Sequence, residues 1–112
     1  MTAKAPAGGK IPESESGFQK AVIDLAHLRG WICHHARPAQ TNKGWRTPIQ
    51  GDAGFPDLVM ARGSRVVVAE LKSDTGRVSP HQAEWLARLS HALTDVHVWS
   101  PKDFEAIKEV LA

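Results

Sequence analysis

The chain of 112 residues has one cysteine, Cys33, and no apolar run long enough to span a bilayer. A single cysteine excludes an internal disulfide framework and suits a reducing compartment. The short apolar runs exclude a membrane-spanning helix. The N-terminus carries Lys4 and Lys10 but no apolar stretch of the secretory kind, so an intracellular protein is expected. There is no internal repeat, and the length leaves room for one small domain with a single core. Neither sign of charge dominates: 14 Lys and Arg against 12 Asp and Glu give +2, a basic lean too mild to indicate nucleic-acid binding.

What is present is ordinary for a soluble globular domain, 42% hydrophobic and 23% charged. Residues 1–12, with Pro6, Gly8, Gly9 and Pro12, have no apolar face to bury and read as a flexible tail ahead of a domain over 13–112. From Ser14, a plausible N-cap, Phe18, Val22 and Leu25 recur at helical spacing as far as a glycine stop at Gly30, which predicts a helix over 14–29. Glu15 extends the core-facing side of that helix. It is either a carboxylate favoured by the helix dipole or an acid aimed into a site.

Trp31 to Ala36 reads as a strand. Cys33, His34 and His35 invite a zinc site, but neighbours on a strand point to opposite faces and no second Cys/His pair has suitable spacing. Residues 37–53, rich in Pro, Gly, Gln, Asn and Thr, read as one long loop of the functional or mobile kind. Its Arg37, Lys43 and Arg46, set around Trp45, are either solvated or phosphate-contacting.

The residues with chemistry lie in 54–72. Leu58–Ala61 and Val66–Leu71 read as two strands joined by a hairpin turn at Arg62-Gly63-Ser64, and the run Val66 to Val68 predicts a central strand buried on both faces. Alternation puts Glu70 and Lys72 on one face, roughly 7 Å apart along the strand, with Leu71 turned into apolar packing. Antiparallel pairing brings Asp57, at the start of the first strand, beside the end of the second. Two carboxylates and an ammonium thus converge at one end of a small sheet. An ion pair at a strand end is the plain explanation. Paired carboxylates repel unless a cation lies between them, however, and a hard cation such as Mg²⁺ is typically held by one or two carboxylates with carbonyls and waters. Such a cation beside a lysine suits phosphodiester hydrolysis.

Beyond a turn at Ser73–Val78, Ser79-Pro80-His81-Gln82 forms a capping box, and Trp85, Leu86, Leu89 and Leu93 give the next helix an apolar stripe predicted to be core. Val96–Trp99 reads as a strand. Ser100-Pro101-Lys102-Asp103 then caps a final helix bearing Phe104, Ile107, Val110 and Leu111. The order α, β, β, β, α, β, α predicts an α/β domain with a small mixed sheet flanked by helices.

Pro56-Asp57 followed by Glu70-Leu71-Lys72 resembles the PD-(D/E)xK nuclease superfamily. Gly54-Phe55-Pro56-Asp57-Leu58-Val59, Ala69-Glu70-Leu71-Lys72 and Gly76-Arg77-Val78-Ser79-Pro80-His81-Gln82 together resemble its VRR-NUC branch more narrowly, and the likeness runs from about Ser14 to the C-terminus. It implies a restriction-endonuclease-like core and a metal-dependent DNA endonuclease. Asp57, Glu70 and the Leu71 carbonyl would bind Mg²⁺ or Mn²⁺, and Lys72 would orient the attacking water or stabilise the phosphate. Glu15, matching a glutamate at the start of the family's first helix, with Glu13 as the competing candidate, would complete the acidic cluster, binding metal through water or holding a second ion. Gln82 would support the substrate or Lys72, and Arg77 would join Arg37, Lys43 and Arg46 on the DNA. Related archaeal-type resolvases cut four-way (Holliday) junctions as homodimers, so branched DNA, a homodimer and cytoplasmic action in a bacterium or phage-infected host are expected. The alternative is a catalytically silent DNA-binding or scaffold module with the same fold.

Overall fold

The computed structural model describes residues 14–35, 39–41, 44–46, 50–93 and 95–112, with 39–41 and 45–46 described through their backbone. The tail over 1–12, with Glu13, lies outside the described residues. Helix α1 (Glu15–Leu28) starts where Ser14 Oγ accepts the Gly17 N–H at 3.2 Å, and its stripe of Phe18, Ala21, Val22, Leu25 and Ala26 is buried. Arg29 is the C-cap, one residue before Gly30. Glu15 is exposed, against the expectation that it extends the core face. Burial begins only at Phe18, one turn further along the helix.

Four strands form one sheet in the order β1-β4-β5-β6: β1 (Ile32–His35), β4 (Leu58–Arg62), β5 (Arg65–Leu71) and β6 (Val96–Trp99). β1–β4 and β4–β5 are antiparallel, while β5–β6 is parallel and is reached by a crossover through α2 (Pro80–Ala92). Residues read from sequence as a single loop over 37–53 contain two short strands, β2 (Ala39–Thr41) and β3 (Gly44–Arg46), paired with each other in a separate sheet. Three-residue strands of mostly polar residues are too short to give a period-two signal.

The register sets the faces. Val67, Ala69 and Leu71 of β5 point with Leu58 and Met60 of β4 into a core closed by α1 and by α3 (Phe104–Leu111), whose Phe104, Ile107 and Leu111 are buried. A short 3₁₀ turn, Pro101–Asp103, leads into α3, and Ser100 N–H donates to Asp103 Oδ2 at 2.9 Å. The indole N–H of buried Trp31 donates to the Leu111 carbonyl at 3.0 Å, and the Arg62 guanidinium lies 4.6 Å from that ring's centroid while also bonding the Leu111 and Ala112 carbonyls. This cluster pins the end of α3 to the sheet.

Two burial expectations need correction. Val67 and Val68 are buried but Val66 is 39% exposed, because the face it shares with Ile32 and Val98 is only partly covered. Trp85, Leu86, Leu89 and Leu93 are half-buried rather than core, and no residue of α2 is fully buried. Among the described residues no helix is long and apolar enough to cross a membrane. A four-stranded mixed sheet flanked by helices is the α/β arrangement of a restriction-endonuclease-like core.

Candidate active site

The β4–β5 register pairs Leu58 with Ala69, so its continuation sets Asp57 opposite Glu70 and Pro56 opposite Leu71. Proline has no N–H, so it cannot donate to the Leu71 carbonyl as another residue there would. The Leu71 N–H donates to Asp57 Oδ2 at 2.9 Å. Asp57 is thereby fixed at the end of β5 by a charge-assisted bond, and the Leu71 carbonyl receives no donor from Pro56.

Glu70 is 2% exposed. Its Oε2 accepts from Lys72 Nζ at 2.9 Å, while its Oε1 is buried with no hydrogen-bond partner among the described residues. Burial pushes the Glu70 carboxyl above the ordinary glutamate range. The Lys72 ammonium pulls it back in part, and the Asp57 carboxylate pushes it further up. A buried carboxylate oxygen that is left bare costs free energy, and a second anion beside it adds to that cost. The pair is a place where a cation would be stabilising.

Lys72 lies one residue past β5, yet its N–H continues the ladder by donating to the Trp99 carbonyl at 2.9 Å. The turn that follows folds back on the lysine stem: a Cβ on Gly76 would lie 3.3 Å from Lys72 Cβ and 3.4 Å from Cδ. Asp74 ties the same turn to the 3₁₀ segment by accepting the Lys102 N–H at 3.1 Å. The ammonium is thus held toward Glu70 by the packing of its own stem.

The other residues singled out from sequence are placed differently. Gln82 is half-buried in the capping box, its Oε1 accepting the Ser79 N–H at 2.9 Å while its own N–H donates to Ser79 Oγ at 3.3 Å. The cap uses the side-chain oxygen of Gln82 and leaves its NH₂ group out of the box. Arg77 is exposed in the turn after Lys72, and Glu15 is exposed on α1. Arg37 and Lys43 lie outside the described residues, and of Arg46 only the backbone, in β3, is described. Sequence reasoning passed over the two roles of the backbone here, Leu71 N–H as the anchor of Asp57 and Gly76 as the cover of Lys72.

The donor set suits a hard cation. Two carboxyl groups, Asp57 and Glu70, stand together here, and no group of three His, Cys, Asp or Glu side chains forms a metal site among the described residues. Mg²⁺ commonly takes one or two carboxylates and retains waters, whereas a structural zinc site needs four protein ligands. The unpartnered Glu70 Oε1 is the observation that fits such an ion.

The model of the VRR-NUC domain matches residues 16–101, from the first turn of α1 to the 3₁₀ segment. The chain belongs to the VRR-NUC family. Curated proteins and solved structures returned no match. The VRR-NUC assignment gives the chain a nuclease-type fold, and the matched span includes Asp57, Glu70, Lys72 and Gln82 together.

Proposed function

We propose that this VRR-NUC domain is a metal-dependent, structure-selective DNA endonuclease that hydrolyses phosphodiester bonds in branched DNA such as four-way junctions. The observation that carries this reading is the buried Glu70 carboxyl, which has Lys72 on Oε2, no hydrogen-bond partner on Oε1 among the described residues and the Asp57 carboxyl close enough to raise its pKa. Asp57, Glu70 and the Leu71 carbonyl would hold Mg²⁺ or Mn²⁺. Such an ion supplies Lewis acidity, lowering the pKa of a water and offsetting charge on the phosphate.

The chain's own residues supply the rest. Lys72 has further N–H bonds to offer besides the one to Glu70, and directs them at the attacking water or a phosphate oxygen, where they stabilise charge that grows in the transition state. The Gln82 NH₂, free of the cap, supports the substrate. Glu15 joins the acidic cluster through water. Arg77, with Arg37, Lys43 and Arg46, contacts backbone phosphates, so DNA is selected by shape rather than by base edges. Cutting two symmetric strands favours a two-fold assembly, and the exposed Ile32, Val66 and Val98 on one sheet face support a homodimer.

A nicking assay on labelled four-way junction, flap and linear duplex DNA tests this reading, with Mg²⁺, Mn²⁺, Ca²⁺ or EDTA, for wild type, Glu70→Ala and Lys72→Ala. Metal-dependent cuts in branched DNA, lost in both variants with binding retained, are expected. Binding without cutting under every metal would favour the silent scaffold. Light scattering coupled to size-exclusion chromatography reads the dimer.

A further inference from the structure

The acid Asp57 sits at the end of a loop that is locked to α2 through backbone as well as side chains. Gly54 has φ +101°, and a Cβ there would lie 2.6 Å from the His81 carbonyl carbon, 2.7 Å from its oxygen and 2.8 Å from its Cβ. No side chain fits in that space, and the positive φ is itself one that glycine tolerates best. The next residue, Phe55, meets Trp85 edge to face, with centroids 5.0 Å apart and planes at 83°. The Trp85 indole N–H donates to the Asp52 carbonyl at 3.2 Å. These three contacts fall within residues 52–55, immediately ahead of Pro56 and Asp57.

The lock works on both partners. Helix α2 has no fully buried residue, so the core does little to fix its position. Asp57 stands one residue ahead of β4, outside the regular ladder, so strand pairing alone does not fix its carboxylate. Each is held by the other: the glycine contact sets how close the loop and the first turn of α2 approach, and the ring pair with the indole bond sets the angle. The first turn of α2 carries Gln82, while the loop leads into the acid that reaches Leu71.

We infer that Gly54 and Trp85 are positioning residues, which together set the Asp57 carboxylate on the Leu71 N–H and hold the Gln82 end of α2 at a fixed distance from it. The inference rests on the nuclease reading only for its consequence in catalysis, since the placement of Asp57 is measurable without metal or DNA. Loosening the lock is expected to free Asp57 from Leu71 while the sheet stays intact.

The test uses the full chain with Gly54→Ala, Trp85→Ala and Trp85→Phe. Amide exchange by NMR reads Leu71 against Val67, an amide in the middle of the same strand, and calorimetric titration with Mn²⁺ reads the carboxylate pair. Gly54→Ala and Trp85→Ala should lose protection at Leu71 by about 10-fold or more while Val67 keeps its own, as expected for a local opening. Mn²⁺ affinity should fall by about 10–100-fold, the usual effect of losing a group that orients a ligand. Trp85→Phe keeps the ring contact and loses only the N–H to Asp52, so it should fall between wild type and Trp85→Ala. It also decides the matter if Gly54→Ala does not fold. Unchanged Leu71 protection in the variants, or equal loss at Leu71 and Val67, would overturn the inference. If Mn²⁺ binds neither wild type nor variants, the nuclease reading fails and Leu71 exchange alone decides the positioning role.

Discussion

The Asp57 carboxylate accepts the Leu71 N–H at 2.9 Å, bridging the start of β4 and the end of β5 where Pro56 interrupts the ladder. This one bond makes an acid of the site part of the sheet's own hydrogen bonding, so the geometry of the site and the edge of the fold are set together. Asp57→Asn keeps an acceptor for the N–H and removes the charge. It should fold with little loss, bring the Glu70 pKa down because a neighbouring anion is gone, and lose cleavage. Asp57→Ala strands the N–H and should cost about 1–3 kcal/mol in addition. Urea unfolding of the two variants separates these effects, and equal stability of the two would contradict the role given to the bond.

Glu70 leads to a pH dependence. Its folded pKa is raised above the ordinary 4.5, so the folded protein keeps a proton that the unfolded chain has released. The stability from this group is therefore complete below the unfolded value and is lost as pH rises through the folded one. The melting temperature of metal-free protein should fall across that window, and Glu70→Gln should flatten the fall. A divalent ion competes with the proton, so Mg²⁺ or Mn²⁺ should raise the melting temperature more at higher pH, and EDTA should reverse it. A wild-type curve parallel to that of Glu70→Gln would refute the linkage.

Lys72→Met keeps most of the stem that Gly76 covers and removes the ammonium. Breaking a buried pair on one side commonly costs about 3–5 kcal/mol. Lys72 is partly exposed and Glu70 can take up a proton, so the loss should sit at or below the low end of that range and shrink on acidification. Cleavage should drop by about 10²–10³-fold, as when a donor to a developing oxyanion is removed. Thermal melts at two pH values and single-turnover cleavage check both parts.

Gln82 has two jobs that one substitution separates. Gln82→Glu retains an acceptor for the Ser79 N–H, so the capping box survives and stability should stay within about 0.5 kcal/mol of wild type. The amide donor is lost, so cleavage or DNA affinity should fall. Gln82→Ala should lose the reciprocal bond as well, and with it part of the helix. Unaltered cleavage by Gln82→Glu would leave Gln82 with the cap alone.

The local order of this chain was largely legible from its residues. Ser14 and Ser79 mark helix starts through side chains that accept N–H groups three residues on, and such contacts depend on near neighbours only. The period of two puts Glu70 and Lys72 on one face, and a short turn after Arg62 brings Asp57 opposite Glu70. What only the tertiary structure decided is how much of each apolar stripe is covered and how closely backbones approach. The stripe of α2 identifies the inward face of that helix, but its half-burial depends on what lies opposite, and so does the exposure of Val66 and Glu15. Gly54 against His81 and Gly76 against Lys72 are contacts made by missing side chains, which sequence patterning does not register. Periodicity is a property of one segment, whereas coverage and close approach belong to pairs of segments that meet only in the folded chain.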